Sequence, residues 1–136
     1  MERTTDERVL LVGDAAAQVK PTSGGGIYPG LLCARHCAHT VYDALCKQQY
    51  DAQFLRRYHE AWKQDIGKEL SRGMYFRKLF TRLSDDQFDK YIKKFQQDSI
   101  RDIISEHGDI DYPSRLVKPL LKKTPSLLRL LSQIVT

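Results

Sequence analysis

A twenty-residue stretch, Val9 to Tyr28, constrains this chain more than any other. Four apolar residues, Val9 to Val12, stop at Gly13-Asp14, and a loop through Pro21 leads to three consecutive glycines, Gly24, Gly25 and Gly26. Valine and leucine in a short run bounded by glycine predict a strand. From Gly25 or Gly26 to about Lys47, residues Leu31, Ala34, Cys37, Ala38, Val41 and Leu45 recur at spacings of three and four, which predicts a helix opening at the glycines. Pro29 suits its first turn, where a missing N–H has no intrahelical partner. The stretch reads as strand, polar elbow, loop and glycine-rich helix start.

That order has a chemical consequence. A carboxylate at the end of a rigid strand, Asp14, is a positioned acceptor for hydroxyl groups such as those of a ribose or ribityl chain. Gly24, Gly25 and Gly26 have no Cβ, so their N–H groups can approach a flat ligand or a phosphate closely. The following helix adds its unpaired N-terminal donors and the positive end of its dipole.

The run Val12-Gly13-Asp14-Ala15-Ala16, followed by Val19 to Tyr28, resembles the second flavin-contacting motif of the geranylgeranyl reductase family. That family lies within the FAD-dependent oxidoreductases that include the aromatic hydroxylases. Tyr58, Trp62, Gly67 to Leu70, Arg72-Gly73, Leu83 to Asp85 and Gly108 to Pro113 are similar to its C-terminal segments, so the likeness covers nearly the whole chain. The resemblance implies an FAD-dependent oxidoreductase that hydrogenates isoprenoid C=C bonds of prenyl lipids. It implies cofactor contacts at Gly13, Asp14, Pro21, Gly24, Gly25, Gly26 and Ile27: Asp14 toward the ribityl chain, Pro21 beside the isoalloxazine, and the Gly24 to Ile27 backbone toward its N1/O2 edge. No proton-transfer residue is nominated. Family chains are roughly three times as long and open with a strand, a G-x-G-x-x-G turn and a helix that bind the ADP half of FAD. The nearest approach here, Gly24-x-Gly26-x-x-Pro29, lacks the third glycine. The expectation is therefore a C-terminal fragment whose N-terminal FAD-binding portion is missing, and which is inactive alone.

The remaining residues are read on their own terms. Leu55, Tyr58 and Trp62 predict a helix from about Asp51 to Ile66; its aromatic pair is read as core, with lipid contact as the alternative. Gly67 interrupts or bends that path. Lys68 to Leu83 is a basic amphipathic helix, either solvated or lying on a membrane. Ser84 with Gln87 is a capping-box pattern opening a helix through Phe88, Ile92 and Phe95, and Ile100, Ile103 and Ile104 mark another short one ended by Gly108. Cys33, His36 and Cys37 share a helical face, and Asp109 and Asp111 share a loop. Neither set is assigned a metal: the cysteines read as packing residues and the aspartates as turn formers. An odd count of three cysteines argues against a disulfide framework.

The net charge of +5 lies in the tail. Ser114 to Thr136 holds Arg115, Lys118, Lys122, Lys123 and Arg129 and no acid, leaving 17 basic and 17 acidic residues before it. Interleaved with leucines, these charges point to peripheral contact with anionic lipid, or to a helix capping the subdomain, rather than to nucleic acid. No run reaches the roughly 20 apolar residues of a spanning helix, and the first seven residues are too charged for a secretory signal, so a cytoplasmic location is expected. The expected fold is mainly α: one N-terminal strand from a flavin-binding sheet, a long helix, and a C-terminal bundle of short helices. The expected division is 1–48, the end of an FAD-binding domain, and 49–136, a helical subdomain. A non-catalytic helical module that binds a membrane or a partner protein is the rival reading.

Overall fold

The computed structural model describes residues 3–124. They fall into two compact units that divide between Ser71 and Arg72. The mainly α expectation holds.

One N-terminal strand was expected, and it has a partner within this chain. It is short, β2 (Val9–Leu10), and it pairs antiparallel with β1 (Thr5–Asp6), Thr5 facing Leu10 and Asp6 facing Val9. The partner comes from a polar segment that carries no alternation signal. The turn between them places Arg8 at φ 57, a left-handed conformation, and the Arg8 amide donates to the Tyr50 carbonyl at 2.9 Å.

Helix α1 (Ile27–Lys47) begins where the glycines end, with Gly26 as its N-cap, and closes on a left-handed Gln48. Helix α2 (Ala52–Trp62) is capped by Asp51, whose carboxylate accepts from the Phe54 amide at 2.9 Å. Lys63–Gly67 then forms a π turn that leads directly into α3 (Lys68–Phe80), so Gly67 widens the helix rather than ending it. A Cβ at Gly67 would lie 3.3 Å from the Lys63 Cβ, which favours glycine in this turn.

The first unit's core forms between α1 and α2. Cys33, Tyr58, Trp62, Ile66 and Leu70 are buried together, with Leu10, Val12, Leu32 and Cys37 packed against them. A second cluster joins Ala44 to Phe54 and Leu55. Tyr58 and Trp62 are core residues, as their spacing suggests. Each large side chain removed from water here contributes about 1.5–3 kcal/mol.

In the second unit, Ser84 and Gln87 form the reciprocal capping box that opens α4 (Asp85–Phe95). Helix α5 (Asp98–His107) ends at Gly108 and buries Ile100 and Ile103. A 3-10 turn, Pro113–Leu116, leads into α6 (Val117–Lys123). The leucine-rich run Ser126 to Val135, whose pattern predicts a last short helix, lies outside the described residues.

Candidate functional site

The elbow after β2 is a single 3-10 turn, Gly13–Ala16, bounded by left-handed residues at both ends: Gly13 at φ 72 and Ala17 at φ 55. The Ala17 amide closes the turn on the Asp14 carbonyl at 2.9 Å. Glycine meets the first conformation without cost; alanine meets the second against a penalty of about 1–2 kcal/mol.

The turn aims Asp14 at the triple glycine. A Cβ built on Gly26 would lie 2.6 Å from the Asp14 carboxylate oxygen Oδ1, so only a glycine lets the carboxylate sit there. The loop between them is tied to itself: the Lys20 amide donates to the Gly25 carbonyl at 3.0 Å, and the Gly24 amide to the Lys20 carbonyl at 2.9 Å. Gly24 is left-handed, at φ 74. The N-cap Gly26 makes no side-chain cap bond, and Pro29, two residues into the helix, brings no N–H. A solvent-exposed carboxylate therefore stands beside the positive end of a 21-residue helix.

Gly13, Asp14, Gly24, Gly25 and Gly26 come together in this way. Pro21 lies in the loop they enclose, and Ile27 points outward from the first turn of α1, 83% exposed. Chemically, the arrangement offers an acceptor, open backbone and a helix dipole on one face, which suits a ligand carrying hydroxyl groups and electron-rich edges.

Of the two buried side chains behind the elbow, Tyr58 is marked by its spacing, but Gln18 gives no local sequence signal. Gln18 is fully buried and accepts the Gly13 amide on Oε1 at 2.8 Å, while its own amide donates to the Gly13 carbonyl at 3.0 Å. Its Nε2 donates to Tyr58 Oη at 2.7 Å, and Tyr58 donates to the Leu11 carbonyl at 2.7 Å. Burial pushes the Tyr58 hydroxyl up to about 12, an effect that the Gln18 bond opposes.

The other clusters do structural work. Cys33 faces the core, and burial, with Asp65 nearby, pushes its thiol up to about 11. Cys37 is raised by burial too. His36 lies 2.8 Å from the Asp65 carboxylate across α1 and the π turn. Asp109 accepts the Asp111 and Tyr112 amides at 2.9 and 3.0 Å and pairs with Arg115 at 2.7 Å, as a turn former does. Among the described residues, no group of three or more His, Cys, Asp or Glu is arranged to hold a metal ion. Among the same residues, no helix is long and apolar enough to cross a membrane.

Helix α1 has two apolar faces. Cys33, Thr40 and Ala44 are buried against this chain, and Gly30 faces the Gly13 backbone, where a Cβ would lie 3.8 Å from the Gly13 Cα. On another face Ile27, Leu31, Ala38, Val41, Tyr42 and Leu45 are exposed, and none is charged. This stripe runs about 27 Å, at 1.5 Å per residue. An open groove of about 490 Å³ adjoins it, lined by Val41 and Leu45 together with Leu10, Tyr50 and Leu55.

No protein-family model matches the chain. No solved structure matches it either. It is similar to an uncharacterised protein of Methanocaldococcus jannaschii, 38% identical over 122 residues, covering 90% of this chain and 31% of that protein. It is 35% identical over 136 residues to digeranylgeranylglycerophospholipid reductase 2 of Methanothermobacter thermautotrophicus, covering 99% of this chain and 33% of that one. The enzyme of the same name from Methanopyrus kandleri is 29% identical, covering 95% and 32%. The chain thus spans about a third of the length of these curated relatives. By this likeness, along nearly all of its own length, the chain belongs to the geranylgeranyl reductase family.

Proposed function

We propose that this chain is the C-terminal third of an FAD-dependent reductase that hydrogenates isoprenoid C=C bonds of prenyl lipids. One observation carries the reading: the Asp14 carboxylate lies against Gly26 at the opening of α1, in space that a Cβ would close. The residues fit one side of a flavin. Asp14 accepts hydrogen bonds from ribityl hydroxyls, and Pro21 packs beside the ring. The Gly26 and Ile27 backbone N–H groups would donate to its N1/O2 edge, where the helix dipole favours negative charge, while Gly24, whose amide is held by the Lys20 carbonyl, and Gly25, whose amide faces Ser23 Oγ, shape the loop beside it. FAD, when bound, supplies the hydride chemistry. The apolar outer stripe of α1, edged by the exposed Arg35, supports a second half: a face of that length suits cover by the rest of a larger domain. The division proposed for the whole is residues 1–48 in the FAD-binding domain and 49–136 in a helical subdomain.

The test uses a chimera in which this chain replaces the matching third of the Methanothermobacter reductase. The wild-type chimera is expected to purify with bound FAD. Asp14→Ala removes a charge-assisted hydrogen bond worth about 1.5–3 kcal/mol, which weakens FAD affinity about ten- to a hundredfold. FAD affinity unchanged by Asp14→Ala would sink the assignment.

A second reading is peripheral contact with an anionic membrane. Helix α4 favours it: none of its residues is buried, and Phe88, Ile92 and Phe95 are exposed along one face above Lys90, Lys93 and Lys94. The basic residues Lys118, Lys122 and Lys123 of α6 add to it, each worth about 1 kcal/mol near such a surface. Neutralising those three lysines should release the chain from anionic liposomes in flotation. Retention at the wild-type level rejects the lysine contact.

A further inference from the structure

The buried pair behind the elbow has no part in the ligand contacts above, yet it is built at some expense. Gln18 is an amide with no exposed surface, in a loop whose neighbours Ala17 and Val19 reach or approach solvent. Such a group is tolerated only when its polar atoms are paired, and here both ends are: Oε1 to the Gly13 amide, Nε2 to Tyr58 Oη. Gln18 and Gly13 exchange two bonds, closing the turn into a ring that contains Asp14. Tyr58 then bolts that ring to the middle of α2 and, through its own O–H, to the Leu11 carbonyl just before the turn.

The left-handed backbone at Ala17 makes this more than packing. An alanine holds φ 55 only where its surroundings over-determine the conformation, and the Gly13–Gln18 ring is what surrounds it. The target is narrow. With Asp14 Oδ1 only 2.6 Å from the point a Gly26 Cβ would occupy, a shift of the turn by about 1 Å changes which groups the carboxylate can reach, a misplacement that costs bound-state geometry heavily.

We propose that Gln18 and Tyr58 are positioning residues for the flavin-contacting elbow: they clamp the Gly13–Ala16 turn to α2 and thereby hold Asp14 over Gly26 in ligand-competent geometry. The flavin half of this statement rests on the function proposed above; the clamp itself does not.

Two substitutions break the clamp with little change of volume, Tyr58→Phe and Gln18→Met, so one serves if the other fails to fold. Thr4→Val is the control. Thr4 is buried in the same unit and bonded to Trp62 and His59, and its side chain makes no bond to the elbow. In the chain by itself, amide hydrogen exchange read by NMR should rise at Gly13 at least tenfold in Tyr58→Phe or Gln18→Met, and remain near wild type in Thr4→Val. In the chimera, the same two variants should raise the FAD dissociation constant about tenfold at a temperature where all the proteins stay folded, with Thr4→Val unchanged. Unchanged Gly13 exchange in the clamp variants, or an equal rise in Thr4→Val, overturns the clamp. Loosened Gly13 with unchanged FAD affinity overturns its role in positioning. A wild-type chimera that holds no FAD overturns the flavin reading itself, while the exchange data still decide the clamp.

Discussion

At the scale of single residues, Thr4 shows how a small polar side chain can organise a core. The Trp62 indole is a donor only, so Thr4 Oγ1 accepts from it at 3.0 Å, and the same hydroxyl is hydrogen-bonded to His59 Nδ1 at 2.9 Å, where the tautomer sets which of the two donates. Burial first, then Lys63 and Arg56, lowers the His59 pKa from 6.5. Between the lowered folded value and 6.5 the unfolded chain binds more protons, so stability is present above 6.5 and lost as pH falls through that window. Cys33 and Tyr58 act at the other limb. Their folded values rise from 9.0 to about 11 and from 10.0 to about 12, so their contribution is full below 9.0 and lost as pH climbs above it. Urea midpoints should therefore fall on both sides of neutrality. His59→Gln should flatten the acid limb, and an acid limb of unchanged slope in that variant would refute the Thr4–His59 account.

At the scale of elements, legibility in the sequence follows the range of the interaction. The α4 capping box is written in four consecutive residues, and Ser84→Ala should cost about 1 kcal/mol, read as faster amide exchange at Gln87 and weaker helical dichroism. No change at Gln87 would show that the box carries no weight. The helix start at Gly26 and the Asp14 elbow were equally local and equally readable. The strand partner Thr5–Asp6 was not, because a two-residue strand has too few side chains to show a period. Gln18 was invisible for a different reason: its partner, Tyr58, is 40 residues away, and nothing near Gln18 marks it as buried. The α1 pattern was readable but mixed two surfaces, since Cys37 packs on this chain's core while Leu31 and Leu45 face away from it.

At the scale of the whole molecule, those two surfaces of α1 carry the argument. One holds the first unit together; the other leaves Ile27, Leu31, Tyr42 and Leu45 in water, and burying each is worth about 1.5–3 kcal/mol to whatever covers it. Relatives three times as long, named for reduction of a digeranylgeranylglycerophospholipid, offer a natural source of that cover. In the function proposed above, the elbow would form one wall of a flavin site and the remainder of such a protein the opposing wall. The direct test is co-elution of flavin. The chain mixed with FAD and passed through a gel-filtration column should emerge without a visible flavin band. Mixed also with the part of the Methanothermobacter reductase that it does not match, it should emerge with one. A flavin band on the chain alone, or none on the pair, would contradict the account.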